Sequence, residues 1–403
     1  MLETLVSEAD SLSDSITALR RAIHAEPEIG LHTPKTRDKV RAALAHLPLE
    51  WREGPSTTGL VAVLKGAAGP GKRVLLRGDM DALPMPEETG LPFASTIPGT
   101  MHACGHDAHV AMLAGAAELL CARAGSLAGE VLFMFQPGEE GYHGARFMLD
   151  DGLLGGRSDD PLPDAAFALH VMPNAPHGLI AGKQGPLMAA ADQLDIVVEG
   201  RGGHASMPHQ TLDPVPLACE IVLALQAMVT RRFNAADAVV VTITRMQAGT
   251  AHNVIPDRVT LQGTMRSLSP EHRAQLHETV EQLAMGLAAA HGMGARVTIT
   301  PGFPVTICDG RAVDFGEVVA RGMFGSTAFR RLPAPIMGAE DFAYVLEQVP
   351  GAMFFLGVAH EGADWGSCCG IHSTRMMLDE SVMPRGAAFL AGLAERFLAV
   401  GFG

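Results

Sequence analysis

Residues 131–140, VLFMFQPGEE, place a run of five apolar residues directly before a Pro-Gly turn and two acidic residues, Glu139 and Glu140. A short apolar run bounded by turn residues is typical of a buried strand. Carboxylates at the mouth of such a strand are costly to desolvate unless they meet a cation. Because ligands of open α/β sheets gather at the carboxyl ends of strands, we expect a binding site at this edge.

The same alternation of strands and helices continues on both sides of this stretch. Strand-like runs lie at 61–64, 74–77, 131–135 and 165–169, and helical patterns lie at 14–24 and 109–123. This order predicts an α/β sheet with helices on its faces. The Gly-rich segment 66–71 contains no nucleotide fingerprint and is interpreted as a hairpin turn between two strands.

The predicted pattern of helices and strands changes near residue 185, and the α/β pattern returns near residue 301. Between them lie strand patterns at 195–199, 239–244, 259–266 and 296–299, and helical patterns at 214–231 and 270–290. A buried strand at 353–357 and a helix at 380–399 follow. We therefore predict an α/β domain formed by residues 1–185 and 301–403, with a smaller α+β domain, 186–300, inserted into it.

Composition excludes several classes of function. The 403 residues exceed the roughly 250–300 that one core accommodates, so two domains are expected. The net charge of −14 and the absence of a basic stripe argue against nucleic-acid binding. No secretory signal is recognisable, and no run reaches the roughly 18 apolar residues that a membrane helix needs. The six cysteines form no disulfide framework by their spacing, which favours a reducing cytoplasm.

Further groups of the kind that bind metals follow other predicted strands. Cys104 and His106 lie in a Gly-containing turn, His170 ends the strand at 165–169, and His372 follows a Gly-rich loop. Thiolate and imidazole are ligands that late divalent metals favour. Together with Glu139 and Glu140, these residues offer six groups that could bind metal. A site with five ligands would use five of them, and the remaining carboxylate could act as a base.

The chain resembles the aminoacylase and carboxypeptidase-like binuclear metallopeptidases, in the branch of hippurate hydrolases and indole-acetyl-amino-acid hydrolases. The resemblance covers almost the whole length. Its motifs are RGDMDALP (77–84), MHACGHDAH (101–109), FQPGEEG (135–141), ALHVMP (168–173), GRGGHASMPH (200–209), AHNVIPD (251–257), GTMRS (263–267), MGAEDFAY (337–344) and GIHSTR (370–375).

The resemblance implies a fold and a set of metal ligands. The fold is a catalytic domain with a mixed sheet flanked by helices, plus an inserted α+β lid or dimerisation domain. Two divalent metal ions per subunit are implied, and zinc, manganese, cobalt or nickel would suit the site. The implied ligands are Cys104, His106, Glu140, His170 and His372. The sequence does not say which ligand bridges the two ions.

The resemblance also implies catalytic and substrate-binding roles. Glu139 would be the general acid and base, and Asp81 would orient a ligand. His204 would stabilise the oxyanion, from the same subunit or from the partner of a homodimer. Asn253 and Arg266 would contact the substrate, with Arg266 on its carboxylate.

Some positions depart from the family pattern. Leu31 and His32 replace a common aromatic-Glu pair, Gly138 replaces a common Ala, and the residues after His372 lack the usual Pro and aromatic. The last change leaves the substrate preference open. The pair Glu340–Asp341 is interpreted as a helix cap before Phe342.

These observations predict a metal-dependent amidohydrolase that cleaves N-acyl amino acids such as hippurate-like, N-acetyl or indole-acetyl conjugates. A dipeptidase or carboxypeptidase on the same scaffold is the nearest alternative. A metal-binding protein without catalytic activity would be expected to lack Glu139 or one of the ligands. This chain has Glu139 and all five implied ligands.

Overall fold

The computed structural model describes residues 2–156, 160–364, 366 and 369–403, so Cys368 lies outside the described residues. Its helices are α1 Leu2–Ser11, α2 Ser13–His24, α3 Pro34–Ala43, α4 His106–Cys121, α5 Gly144–Asp150, α6 Pro214–Arg232, α7 Pro270–Ala290, α8 Gly310–Phe324, α9 Ala343–Leu346 and α10 Met383–Val400. Its strands are β1 Glu50–Glu53, β2 Leu60–Lys65, β3 Arg73–Asp79, β4 Glu130–Gln136, β5 Ala165–Met172, β6 Ile180–Gly182, β7 Gly185–Met188, β8 Ala190–Glu199, β9 Gly203–His204, β10 Val239–Ala248, β11 Val254–Ile255, β12 Arg258–Ser267, β13 Gly294–Pro301, β14 Thr306–Cys308, β15 Phe329–Arg331 and β16 Gly351–Gly357.

The chain divides into two compact units. The first comprises the residues up to Leu187 together with Ile307–Pro335 and Asp341–Gly403. The second comprises Met188–Thr306 and Ile336–Glu340. Segment 336–340 therefore groups with the second unit, although the sequence analysis assigns it to the first, because five residues without periodicity carry no signal of their domain.

A mixed sheet of the first unit has the strand order β1-β2-β4-β3-β5-β16-β6-β15. Strands β4, β3, β5 and β16 are neighbours and run parallel, and β1 and β2 pair antiparallel with their neighbours. Strand β6 runs antiparallel to β16 and parallel to β15. Helix α4 is buried along nearly its whole length and packs on β3 and α10. The predicted α/β fold with a mixed sheet flanked by helices is confirmed.

The interpretation of residues 66–71 as a hairpin turn is wrong. The loop connects β2 to β3, but β4 lies between these two strands in the sheet. Its Gly66 amide donates instead to the carbonyl of Gly129, just before β4. A hairpin and a connection that spans one strand look alike in sequence because both need only a short polar segment between two apolar runs.

The second unit is an antiparallel sheet, β10-β12-β8-β13, covered by α6 and α7. Buried and exposed positions alternate along β8, as expected for a sheet with one solvated face. The buried face packs against apolar residues of both helices, including Leu217, Ile221, Leu276 and Val280. The role of a lid or dimerisation domain, predicted for residues 186–300, stays a prediction.

Helix α6 bears on the prediction that the chain has no membrane helix. Within the described residues it is the one helix whose length and composition would allow it to cross a membrane. Its buried side chains, among them Leu217, Ile221 and Leu225, belong to the core of the second unit. A core helix can satisfy the same criterion of length and apolarity, so this is weak support for a membrane span.

Candidate metal centre

The carboxyl ends of β3, β4 and β5 carry the first group of predicted site residues. Asp81 follows β3, Glu139 and Glu140 follow β4, and His170 lies near the end of β5. These three strands are neighbours and parallel, so their carboxyl ends share one edge of the sheet. The topology thus explains why residues so far apart in sequence converge.

Asp81 joins two of these strand ends. One carboxylate oxygen accepts a hydrogen bond from the Glu139 amide at 2.9 Å, and the other accepts from the Glu140 amide at 3.0 Å. The main-chain carbonyl of Asp81 accepts from Nδ1 of His106 at 2.8 Å. The buried carboxylate thus orients both acidic residues, and the carbonyl of the same residue orients one imidazole.

The Cys-Gly-His spacing has a steric origin. Gly105 has a φ of 85° and immediately precedes α4. A Cβ atom at this position would lie 2.3 Å from Cγ2 of Val171 on β5. Only glycine therefore lets the turn approach the strand closely enough for Cys104 Sγ to lie 3.4 Å from His170 Nε2.

His372 reaches the same group from the chain after β16. Its amide donates to the carbonyl of Ala103 at 2.7 Å, and its Nε2 lies 3.2 Å from Oε1 of Glu140. Its backbone adopts a left-handed conformation, with a φ of 63°, which is uncommon for residues other than glycine. The structure thus brings together all five predicted ligands with Glu139 and Asp81.

The ligand atoms form overlapping groups of three, each with its atoms within 4.8 Å of one another. These groups are Cys104–His106–His170, Cys104–Glu140–His372 and His106–Glu139–Glu140. Nδ1 of His106 makes the bond to Asp81, and within the described residues its buried Nε2 makes no hydrogen bond and lies 3.4 Å from a carboxylate oxygen of Asp79. An imidazole that is fixed by a hydrogen bond at one nitrogen and makes none at the other has the arrangement of a metal ligand. The donor set therefore fits two neighbouring divalent ions.

The electrostatics of the centre also favour cations. Burial lowers the pKa of His106, but the Asp79 carboxylate, together with Cys104 and the hydrogen bond to Asp81, more than offsets this, so the pKa is well above its usual value. The surroundings that favour a proton on this ring favour a metal ion in the same place. Burial raises the pKa of the Cys104 thiol to about 12. A metal ion would deprotonate this thiol on coordination.

Four residues that the sequence analysis did not assign to the site, Asp79, His109, Arg77 and Asp341, form hydrogen bonds and ion pairs next to the ligands. The Asp79 carboxylate accepts from Nδ1 of His109 at 2.6 Å, and Nε2 of His109 accepts from the Val171 amide at 2.9 Å. Arg77 forms buried ion pairs with Asp79 and Asp341. His106 and His109 are three residues apart on α4 and so lie on one helix face, which is the signal in the sequence that could have indicated His109.

Asp341 caps a different helix from the predicted one. Its carboxylate accepts from the Ala145 amide, in the first turn of α5, at 2.9 Å, and also from Gln136 Nε2. The segment that carries Glu139 and Glu140 leads directly into this helix. Asp341 and Arg77 therefore help to hold the loop that carries Glu139 and Glu140.

The predicted residues of the inserted domain lie in the second unit. His204 on β9 pairs with Val254 on β11, and the Ala205 amide donates to the carbonyl of Asn253, so His204 and Asn253 are neighbours. The exposed His204 ring accepts from the Ser206 hydroxyl at Nδ1. Arg266 is half-buried on β12, and burial lowers its pKa. The catalytic and substrate-binding roles of these three residues stay predictions.

A buried network of charges lies beside the centre, next to His106 in the chain. Asp107 accepts from Arg20 Nε at 2.9 Å and from His24 Nδ1 at 2.8 Å, and His24 Nε2 lies 3.1 Å from Glu87. Burial lowers the pKa of His24, but the Asp107 carboxylate, with the bond to Glu87, raises it to about 9. The network thus fixes the start of α4 through a charged histidine.

Sequence comparisons match residues 75–396 to the family model described as peptidase family M20/M25/M40. The chain is 38% identical to the N-acetylcysteine deacetylase of Bacillus subtilis, over 93% of this chain and 95% of that protein. It is 36% identical to thermostable carboxypeptidase 1 of Saccharolobus solfataricus, over 98% and 99%. It is also 36% identical to the IAA-amino acid hydrolase ILR1-like 2 of Arabidopsis thaliana, over 97% and 87%.

Two solved structures match nearly the whole length of this chain. A putative aminohydrolase from methicillin-resistant Staphylococcus aureus has a TM-score of 0.91 and 28% identity, with 99% of this chain and 100% of that chain covered. The Bacillus subtilis YXEP protein, described as a dinuclear metal binding peptidase from the M20 family, has a TM-score of 0.83 and 34% identity, with 97% and 99% covered.

The positive charge on His24 can be tested by measuring the free energy of unfolding as a function of pH. The pKa of about 9 lies above the ordinary value of 6.5, so the stabilisation is fully present below pH 6.5 and is lost as the pH rises through 9. We expect His24→Gln to cost about 3 kcal/mol more at pH 6 than at pH 9.5, since one pKa unit corresponds to about 1.4 kcal/mol. Denaturant unfolding of both proteins across this range measures the difference.

The neighbouring Ile23→Val is the control for this comparison. Ile23 is buried but does not titrate, so its cost of about 1 kcal/mol should be the same at every pH. A pH-independent difference between wild type and His24→Gln would show that His24 is neutral in the folded protein.

Proposed function

Because this chain belongs to the peptidase M20/M25/M40 family, we propose that it hydrolyses the amide bond of N-acyl amino acids at a site that holds two divalent metal ions. The observation that carries the proposal is the convergence of two overlapping ligand triads around Glu139. The names of two relatives, a deacetylase of N-acetylcysteine and a hydrolase of IAA-amino acids, support a substrate with an acyl group on an amino acid.

The residues proposed as metal ligands are Cys104, His106, Glu140, His170 and His372. They make up two triads, Cys104–His106–His170 and Cys104–Glu140–His372, which have Cys104 in common. When bound, the ions supply Lewis acidity that polarises the amide carbonyl and lowers the pKa of water. The choice among zinc, manganese, cobalt and nickel depends on availability as well as on these donors.

Glu139 is the proposed general base and acid. Its side chain is buried beside the ligand groups, and its main chain is held by Asp81. It takes a proton from the water that attacks the amide carbonyl carbon. It returns this proton to the nitrogen as the carbon–nitrogen bond breaks, which yields a free acid and an amine.

The second unit supplies the remaining proposed contacts. His204 donates to the developing oxyanion, Asn253 contacts the substrate beside it, and Arg266 binds the amino acid's carboxylate. We also propose a homodimer through this unit. Two features support it: β10 is an edge strand with an exposed second half, and Leu223 and Met285 on α6 and α7 are exposed.

A carboxypeptidase or dipeptidase activity is the second candidate. The relative named thermostable carboxypeptidase 1 is 36% identical over nearly the whole length, which supports this alternative. The two activities differ in whether the scissile bond follows an acyl group or an amino acid with a free amine. The Cys104 form of the first ligand motif favours the acyl substrates.

A reducing cytoplasm is the proposed location. Cys104, Cys121, Cys219, Cys308 and Cys369 form no disulfide among the described residues. A thiol ligand would also be open to oxidation outside a reducing compartment. Fractionation of the source cells tests this location, and recovery from the membrane or the medium would contradict it.

The reaction class follows from a substrate panel. We expect the metal-reconstituted protein to release amine from N-acetyl, benzoyl or indole-acetyl amino acids faster than from dipeptides. We expect Glu139→Gln to lower kcat by about 10²–10⁴-fold while two ions remain bound, because the amide cannot accept the proton. Product amine is quantified by fluorescence and metal by elemental analysis.

The panel has three informative outcomes. Faster cleavage of dipeptides would favour the second candidate. Cleavage by Glu139→Gln at the wild-type rate would remove Glu139 from the reaction. No release from any substrate by a protein with both ions bound would contradict the amidohydrolase proposal.

His204 has a separate test with a matched control. His204→Ala should lower kcat by about 10²–10³-fold through loss of the oxyanion donor. His209→Ala removes another exposed histidine of the same loop and should change kcat little. If both His204→Ala and His209→Ala retain wild-type kcat, the oxyanion role is contradicted.

Hybrid dimers then show which subunit donates His204. Co-expressed Glu139→Ala and His204→Ala chains each lack one group, and a hybrid has one complete site only if the histidine acts across the interface. Activity near roughly a quarter of wild type would indicate donation between subunits, as expected for random isologous pairing. Absence of recovery in a verified hybrid would indicate donation within one chain.

A further inference from the structure

Backbone strain distinguishes two histidines from every other described residue except glycine. His143, with a φ of 60°, and His372, with a φ of 63°, are the only two such residues at positive φ in the described part of the chain. Left-handed backbone costs free energy for a residue with a Cβ atom. Such residues cluster at functional sites, and His372 is already a proposed metal ligand. His143 is therefore the strained residue whose role is unassigned.

His143 lies in the loop that carries both acidic residues of the centre. The Gly144 amide donates to the carbonyl of Gly138 at 3.0 Å, which closes the loop around Glu139 and Glu140. Gly138 and Gly141, at φ of 74° and 87°, occupy the other left-handed positions of the loop. A glycine at position 143 would adopt the observed backbone without steric cost, so what histidine adds is its side chain.

The side chain of His143 makes a specific contact. Its Nδ1 lies 2.9 Å from the hydroxyl of Tyr344 on α9. Burial lowers the pKa of His143, and the Arg146 guanidinium lowers it further, so the ring is neutral near pH 7. A neutral ring and a phenol form a good hydrogen bond in either direction.

The loop is thus held at both ends. At its entry, the Asp81 carboxylate accepts from the amides of Glu139 and Glu140. At its exit, Tyr344 bonds His143, and Asp341 on the same segment accepts from the Ala145 amide. The carboxylates of the centre lie between these two anchors.

We propose that His143 is a positioning residue, which through Tyr344 holds the Glu139–Glu140 loop in the conformation that presents both carboxylates to the metal ions. The inference deepens the proposed function and rests on it for the role of Glu139. It also makes a claim independent of the reaction, since Glu140 is a proposed ligand and a displaced loop weakens metal binding.

Three variants test the hydrogen bond. His143→Gly removes the bond and the strain, Tyr344→Phe removes the bond and keeps the strain, and His143→Asn tolerates the left-handed backbone with a polar atom near the position of Nδ1. Tyr142→Phe is the matched control, because Tyr142 is the other tyrosine of the chain and lies in the same loop. The readouts are metal affinity by competition with a chelator, kcat, KM and Tm.

We expect His143→Gly and Tyr344→Phe each to weaken metal affinity and kcat by about tenfold or more, with KM within about twofold of wild type. The double variant should be no worse than either single variant, since both remove one interaction. His143→Asn should recover most of the loss, and Tyr142→Phe should behave as wild type. Tm of His143→Gly should change little, because relieved strain and the added entropy of the unfolded chain oppose each other.

A stable His143→Gly variant with wild-type metal affinity and kcat would overturn the proposal. Losses that multiply in the double variant would also overturn it, because the two side chains would then act separately. If the wild type cleaves no acyl substrate, the proposed function fails, and metal affinity alone still tests His143. Unchanged affinity in His143→Gly would then contradict the positioning role.

Discussion

The pair of hydrogen bonds from the Glu139 and Glu140 amides to the Asp81 carboxylate joins the ends of two parallel strands. The position of both acidic residues in the centre depends on this link. The parallel order of β4, β3 and β5 sets the two strand ends beside each other, and Asp81 fixes the distance between them. The main-chain carbonyl of the same residue orients His106, so one residue aligns three groups of the site.

Charge balance is the second constraint on this part of the molecule. Asp79, Asp81, Glu139 and Asp341 are all buried, and Arg77 is a buried cation between two of them. Isolated buried charges are expensive, and pairing offsets the cost only when the hydrogen bonds are complete. Burial would raise the pKa of Asp79, but Arg77 and the two neighbouring imidazoles hold it well below its usual value. The remaining negative charge around Cys104 and Glu140 is what two divalent cations would neutralise.

The sequence predicted the strands of the sheet well, because apolar runs are local patterns, and the structure brings the predicted ligands close together. The helix predicted at 270–290 is observed with those bounds, and the strand predicted at 131–135 is observed as Glu130–Gln136. The hairpin interpretation of 66–71 failed because strand neighbours are decided by long-range pairing, and β4 inserts between β2 and β3. The place of segment 336–340 in the second unit was not anticipated, because five residues without periodicity carry no signal of their domain.

Most of the hydrogen bonds that hold the ligands in place could not be predicted from local sequence patterns. The bond from His24 to Asp107 joins residues 83 positions apart, and nothing in either segment specifies the other. The left-handed backbone of His143 is likewise a property of a closed loop rather than of a histidine. Residue types in a motif can therefore indicate which groups meet a metal, whereas the hydrogen bonds that orient those groups emerge only with the fold.

Anomalous diffraction from crystals of the protein reconstituted with zinc tests the central claim most directly. The account predicts two peaks about 3.5–4 Å apart, ligated by Cys104, His106, Glu140, His170 and His372, with Glu139 and Asp81 outside the ligand set. A single peak, or ions ligated by Asp79 and His109 instead, would contradict it.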